Sequence, residues 1–207
     1  TVICSDKTGT LTQHQMTVQE IHAGGRLYHV PGSGYEADGQ IHFEREPVII
    51  GENVALIETL GAGLLCNDSR LIRDGDDRTI VQGDPTEAAL VVLAEKGGID
   101  VDETRRTYPR VAEVPFDSEY KLMATFHELE ENGRNVIRCF VKGAPDVLLA
   151  RSSHFRDAGG SAVSAEAGRD RVLAENDRLA GEGLRVLAVA SRDIDPSEFH
   201  ADGPLLD

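Results

Sequence analysis

KLMATFHELEENGRNVIRCFV, residues 121–141, reads as two strands and the turn between them. Lys121 to Glu128 forms the first strand. Asn132-Gly133 supplies the two residues that accept positive φ in a tight hairpin turn. Asn135 to Val141 is the returning strand, rich in β-branched and aromatic residues. Outward on the N-terminal side, Val111 to Phe116 is another strand. On the C-terminal side, Gly143-Ala144-Pro145-Asp146 opens a helix that ends near Arg151. Further hairpins have the same logic: Met16–Ile21 and Gly25–Val30 flank a Gly-Gly turn, and Leu71-Ile72 and Thr79–Val81 flank Asp74-Gly75-Asp76-Asp77. That acidic turn lacks the ligand spacing of a calcium loop.

Helices fall between these hairpins. Ile50, Val54, Ile57, Leu60 and Leu64 recur at helical spacing and predict a helix over 47–65. Asp84-Pro85-Thr86-Glu87 predicts a helix start, with Asp84 as cap, Pro85 at the first helical position and Glu87 reaching back to complete a capping box; the helix runs to about Lys96. Ala165 to Ala180 is amphipathic and stops at Gly181 and Gly183. Leu184 to Ser191 is a last core strand. Hairpins mixed with helix pairs, without strict strand–helix alternation, give the fold class as α+β: an antiparallel sheet of about six to seven strands flanked by helix pairs.

The chain has 207 residues, a net charge of −15 and a hydrophobic content of 40%, enough to bury a core as an ordinary globule. So acidic a chain has no basic stripe for nucleic acid. Cys4, Cys66 and Cys139 are odd in number and widely spaced, which argues against a disulfide framework or a zinc site and fits a reducing compartment. The longest apolar stretch, 48–66, is interrupted by Glu52, Asn53 and Glu58 and does not suit a bilayer span.

The most specific chemistry lies at Asp6-Lys7-Thr8-Gly9-Thr10-Leu11-Thr12. A carboxylate directly after the apolar run Val2-Ile3-Cys4 is followed by a cation, hydroxyls and a glycine. These residue types suit an aspartate that accepts a phosphoryl group: the carboxylate is the nucleophile, Lys7 offsets phosphate charge, and Thr8 and Thr10 donate to phosphoryl oxygens. The heptad resembles the phosphorylation signature of the type II, calcium-pump-like P-type cation-transporting ATPases. The resemblance implies that Asp6 becomes an aspartyl-phosphate, with Lys7 and Thr8 beside it and Asp6 and Thr8 among the holders of Mg. The wider haloacid-dehalogenase-like superfamily carries an acid two residues after the nucleophile; here that residue is Thr8. Without the acid, water removes the phosphate more slowly, as suits a pump.

Four later segments resemble the nucleotide-binding domain of the same family, in the same order. Gly83–Leu90 contributes Thr86 and Glu87 on the adenine and ribose side. Pro115–Met123 contributes Phe116, which in the family stacks on adenine, and Lys121 near the phosphates. Lys142-Gly143-Ala144-Pro145-Asp146 contributes Lys142 to the adenine pocket and Gly143 for close approach of the base. Gly183–Ala190 contributes Arg185 for nucleotide phosphate. Cys66-Asn67-Asp68-Ser69 also matches a string of the type II pumps and reads as a structural helix end. Stacking of a base on a ring is worth about 1–3 kcal/mol, and millimolar binding needs only about 4 kcal/mol. One ring and a few cations therefore suffice for weak ATP capture. A cleft joining Phe116 with Lys121, Lys142 and Arg185 is expected.

The implied organisation is a stub of phosphorylation domain with a hinge over 1–14 and a nucleotide-binding domain over 15–207. The implied partners are ATP and the remaining phosphorylation, actuator and membrane domains of one polypeptide. The same resemblance implies the cytoplasmic side of a plasma membrane; the high Ala, Gly, Arg and Asp content points to a bacterial source, and the chain is expected to be monomeric. The chain alone is expected to bind ATP weakly without turnover. Two rivals remain at this point: a haloacid-dehalogenase-like phosphatase with a large cap, and a non-catalytic nucleotide-binding module.

Overall fold

The structure, a computed structural model, describes residues 15–73 and 79–201, with Arg73 by its backbone alone. Asp6, Lys7 and Thr8, the expected stub over 1–14 and the acidic turn at 74–77 lie outside the described residues.

The opening hairpin is β1 (Glu20–Ala23) and β2 (Arg26–His29), extended by the short strands β3 (His42–Phe43) and β4 (Glu46–Pro47) into an antiparallel four-stranded sheet. The helix expected from residue 47 starts later, as α1 (Val54–Leu65), behind a single 3-10 turn at Ile50–Glu52. Asn53 sets that start. Its side chain accepts the Leu56 N–H at 2.9 Å and donates to the Tyr28 hydroxyl, so the cap is locked to the hairpin. The buried stripe of α1 is Leu56, Leu60 and Leu64, four residues apart, whereas Val54 and Ile57 are partly exposed. Tyr28, Val30, Ile41, Leu56 and Leu60 share one core cluster.

The hairpin β5 (Arg70–Arg73) and β6 (Thr79–Gln82) leads into α2 (Pro85–Lys96). A short helix, α3 (Val101–Thr107), follows; Asp100 caps it by accepting the Glu103 N–H at 2.8 Å. The sequence reading passes over this helix, because seven largely polar residues carry no apolar period.

The central sheet contains β7 (Arg110–Asp117), β8 (Leu122–Glu131), β9 (Arg134–Gly143) and β12 (Ala188–Ile194), in the order β12-β9-β8-β7 and antiparallel throughout. Asn132 and Gly133 have φ of 53° and 75°, as the expected tight turn requires. One face of the sheet packs Met123 and Phe140 against Ala62, Leu65 and Cys66 of α1 and its end. The other face buries Ala124, Phe126, Ile137 and Cys139 together with Ile194 and Phe199. Between β9 and β12 lie α4 (Pro145–Arg151), the hairpin β10 (His154–Arg156) and β11 (Ala162–Ser164), and α5 (Arg169–Gly181). The Leu184–Leu187 part of the expected last strand is in no strand, with Arg185 exposed, and pairing with β9 begins at Ala188. The fold class is α+β with antiparallel sheets, as the sequence implies; the strands are shared among two four-stranded sheets and two hairpins.

His127 ties β8 to the loop after α3. Its Nδ1–H donates to the Tyr108 carbonyl at 2.8 Å and its Nε2 is hydrogen-bonded to the Thr125 hydroxyl at 3.0 Å. Burial holds its pKa below the ordinary 6.5, even though the Tyr108 bond pulls the other way. A histidine depressed in the folded state binds fewer protons than in the unfolded chain, so its contribution is complete above pH 6.5 and is lost as pH falls from there through its lower folded value. Urea denaturation is therefore expected to give a midpoint that declines from pH 7 to pH 5. In His127→Gln the decline is expected to be shallower; an unchanged slope would assign the effect elsewhere.

Candidate functional site

The site is assembled at one end of the central sheet and at the N-terminus of α2. Asp84 caps α2 by accepting the N–H groups of Thr86 at 2.8 Å and Glu87 at 3.3 Å. Partial burial pushes the Asp84 carboxyl up. Hydrogen bonds from the Thr86 hydroxyl and these two N–H groups, with Arg185 nearby, outweigh that and hold it below the usual 3.8.

Glu87 does not complete a capping box. Its Oε1 accepts from Lys142 Nζ at 2.5 Å and its Oε2 from the Asp68 N–H at 2.9 Å. The carboxylate is drawn sideways because a buried cation offers more than the exposed N-cap amide. Lys142, the penultimate residue of β9, is only 6% exposed. Its ammonium also donates to the Cys66 carbonyl at 2.7 Å. The neighbouring Cys66 thiol is pushed up to about 11 by burial, with Lys142 pulling it back only in part. It is a neutral, packed group.

Phe116 occupies a different setting. β7 pairs Val114 with Ala124 and Asp117 with Leu122, so Pro115 and Phe116 together oppose Met123 in a bulge. The ring is 64% exposed. Met123 pairs with Lys142 across β8 and β9, which puts Phe116 and Lys142 in the same transverse row, two strands apart, or about 10 Å. Lys121 sits in the turn between β7 and β8 at φ 54°, its N–H donating to the Asp117 carbonyl at 2.7 Å. Its side chain is exposed and makes no ion pair among the described residues.

Gly143 is held to glycine by the backbone. A Cβ there meets the Lys121 carbonyl oxygen at 2.4 Å and Leu122 Cα at 2.9 Å. That same carbonyl accepts the Ala144 N–H at 3.0 Å, so β9 ends by locking onto the turn that carries Lys121. Gly143→Ala is expected to destabilise the fold by about 1–3 kcal/mol through this clash. A urea midpoint equal to the wild type would show that the turn yields freely.

The structure thus brings Thr86, Glu87, Lys142 and Arg185 together, since Arg185 donates to the Thr86 hydroxyl at 2.9 Å. Phe116, Lys121 and Gly143 join them at the same sheet end through the β7–β8 turn. The expected open cleft joining Phe116 with Lys121, Lys142 and Arg185 is not found among the described residues, because the Lys142 ammonium is committed to Glu87 and Cys66. A cavity of about 1400 Å³ between α1, α4, α5 and the sheet is lined by Thr86 and Arg185 but not by Phe116, Lys121, Lys142, Gly143 or Glu87. Lys142 is turned inward to Glu87 instead. Sequence reasoning gave no site role to Arg110, which donates to Asp68 at 2.5 Å, Glu113 at 2.7 Å and the Asn67 carbonyl at 2.7 Å. Its partners are more than forty residues away on one side, and no local pattern signals them.

Residues 55–204 match the model of the P-type ATPase cytoplasmic domain N. The chain belongs to the P-type cation-transporting ATPase family. It is 40% identical to a cation-transporting ATPase of Synechocystis over 98% of its own length and 22% of that protein. It is 39% identical to a calcium-transporting ATPase of Bacillus subtilis, over 95% of the chain and 22% of the relative. It is 37% identical to the human calcium-transporting ATPase type 2C member 1, over 92% and 20%. The domain N chain therefore spans about a fifth of the length of these curated relatives. No helix among its described residues is long and apolar enough to cross a membrane.

Proposed function

We propose that this chain holds ATP for a P-type cation pump and presents the γ-phosphate to Asp6. The observation that carries the reading is Phe116: a large ring left exposed on a bulge, in one row with a buried lysine. An aromatic face open to solvent, at a sheet end that also carries cations, suits a purine and its charged tail. Thr86, Glu87 and Gly143 lie on the base and ribose side, with Lys142 in the adenine pocket. Lys121 and Arg185 face the phosphates. The exposure of Phe116 is not that of a ring serving the core.

Residues 15–207 act in this reading as the nucleotide-binding domain and 1–14 as the edge of the phosphorylation domain and its hinge. The donor swings to Asp6, whose carboxylate oxygen attacks the γ-phosphorus in line. The bond from that phosphorus to the β–γ bridging oxygen breaks, and ADP leaves with the electron pair. Among the described residues no group of three or more His, Cys, Asp or Glu is placed to hold a metal ion. Asp6 and Thr8 would hold magnesium together with other parts of a longer polypeptide. When bound, the ion offsets charge on the phosphate oxygens. The aspartyl-phosphate then drives cation movement through membrane helices of that polypeptide, with this domain on the cytoplasmic side; calcium, named in two of the relatives, is the leading cargo.

Calorimetric titration of the chain with ATP, followed by phosphate mapping at Asp6, tests this. Saturable binding with a Kd near millimolar and no label on Asp6 is expected of the chain by itself. Absence of binding would overturn the reading, and hydrolysis of small phosphomonoesters would favour the phosphatase rival.

A further inference from the structure

The turn that leaves α1, Cys66–Ser69, touches both members of the buried ion pair. The Cys66 carbonyl accepts from Lys142, and the Asp68 N–H donates to Glu87 on the carboxylate oxygen that Lys142 leaves free. Asn67 stands between them and is 3% exposed. Its Nδ2 donates to the Gly63 carbonyl at 3.0 Å and to the Glu87 carbonyl at 2.8 Å, and its Oδ1 accepts the Ser69 N–H at 2.9 Å. One side-chain amide thereby pins the last turn of α1, the first turn of α2 and the chain between them. Arg110 holds the same turn from β7 through the Asn67 carbonyl and the Asp68 carboxylate. The helix-end hydrogen bond to Gly63 alone would be a plain C-terminal cap. The bond to Glu87 is not, because it reaches the backbone of the very residue whose carboxylate grips Lys142.

We propose that Asn67 is a positioning residue of the nucleotide site: it sets the spacing of α1 and α2 so that Glu87 and Lys142 meet over the Cys66–Ser69 turn. The inference rests on the nucleotide reading above. Asn67 need not touch ATP. It acts through Glu87, whose carboxylate either sits where Lys142 is poised or does not.

Asn67→Asp is the sharpest probe. It keeps the size of the side chain and the acceptor for Ser69, but turns two donations into oxygen facing carbonyl oxygen. ATP affinity is measured for N67D alone, E87Q alone and the double variant, each with its urea midpoint. N67D alone is expected to weaken ATP about 10-fold, and in the E87Q background to change affinity less than about 2-fold, because contacting residues couple non-additively. The loss of stability, by contrast, is expected to be similar in both backgrounds. Folded N67D with wild-type affinity, or equal affinity losses in both backgrounds, would overturn the proposal. If N67D does not fold, Arg110→Lys replaces it, with an expected loss of about 3-fold that again vanishes beside E87Q. The same two outcomes decide it there.

The Lys142 ammonium resonance separates the two layers. In the wild type, burial and two hydrogen bonds slow its exchange with water. N67D is expected to lose that signal whether or not ATP binds. Its retention overturns the positioning role, whereas a wild-type chain that ignores ATP overturns only the nucleotide reading.

Discussion

Replacing Phe116 with alanine is expected to weaken ATP binding by about 5- to 150-fold, the equivalent of the 1–3 kcal/mol that stacking of a base on an aromatic ring supplies. The same change is expected to leave the thermal midpoint within about 2 °C of the wild type, since exposed substitutions move stability little. The separation of the two effects is the point. At 64% exposure the ring has little burial to lose. It sits on a bulge where Pro115 and Phe116 oppose a single residue, so the pairing of β7 with β8 does not depend on it. Phe126, fully buried on the same sheet, is the internal contrast: its truncation is expected to unfold the chain long before binding can be asked about. Calorimetry with ATP and a thermal melt of F116A check both halves.

Lys142→Met is expected to destabilise the fold by about 3–5 kcal/mol. The side chains of Lys142 and Glu87 are 8% and 15% exposed, so deleting the cation strands a carboxylate that water barely reaches. The Cys66 carbonyl loses its donor as well. Adding Glu87→Gln is expected to recover more than half of the loss. A neutral amide oxygen still accepts the Asp68 N–H, and methionine fills the space of the lysine stem. Urea denaturation of the two single variants and the double closes the cycle. Losses that simply add would show that the pair is solvated in practice. Nucleotide binding is expected to stay weak in the double variant even where the fold returns, because the cation itself is gone.

Much of the frame was legible in the chain because local chemistry and tertiary outcome agree there. Asn132-Gly133 takes positive φ at both residues, and Asp84-Pro85 starts α2 at the expected place. What escaped the sequence was set by distant partners. α1 begins at Val54 and not at residue 47 because Asn53 is claimed by Tyr28, twenty-five residues earlier. Glu87 has the right spacing for a capping box, yet Lys142, fifty-five residues on, takes its carboxylate. The family resemblance makes Gly143 room for a base; the carbonyl of Lys121 in the adjoining turn already requires the glycine. The α3 helix and the β10–β11 hairpin are not legible in the sequence, since neither carries an apolar period long enough to register.

Titrating ATP into isotopically labelled chain while following the Phe116 ring and the Lys142 ammonium by NMR asks most directly whether this sheet end is a nucleotide site. Saturable shifts of both signals in the millimolar range, joined by Thr86 and Arg185, are the expected result. Unmoved signals at Phe116 and Lys142 under excess ATP would contradict it.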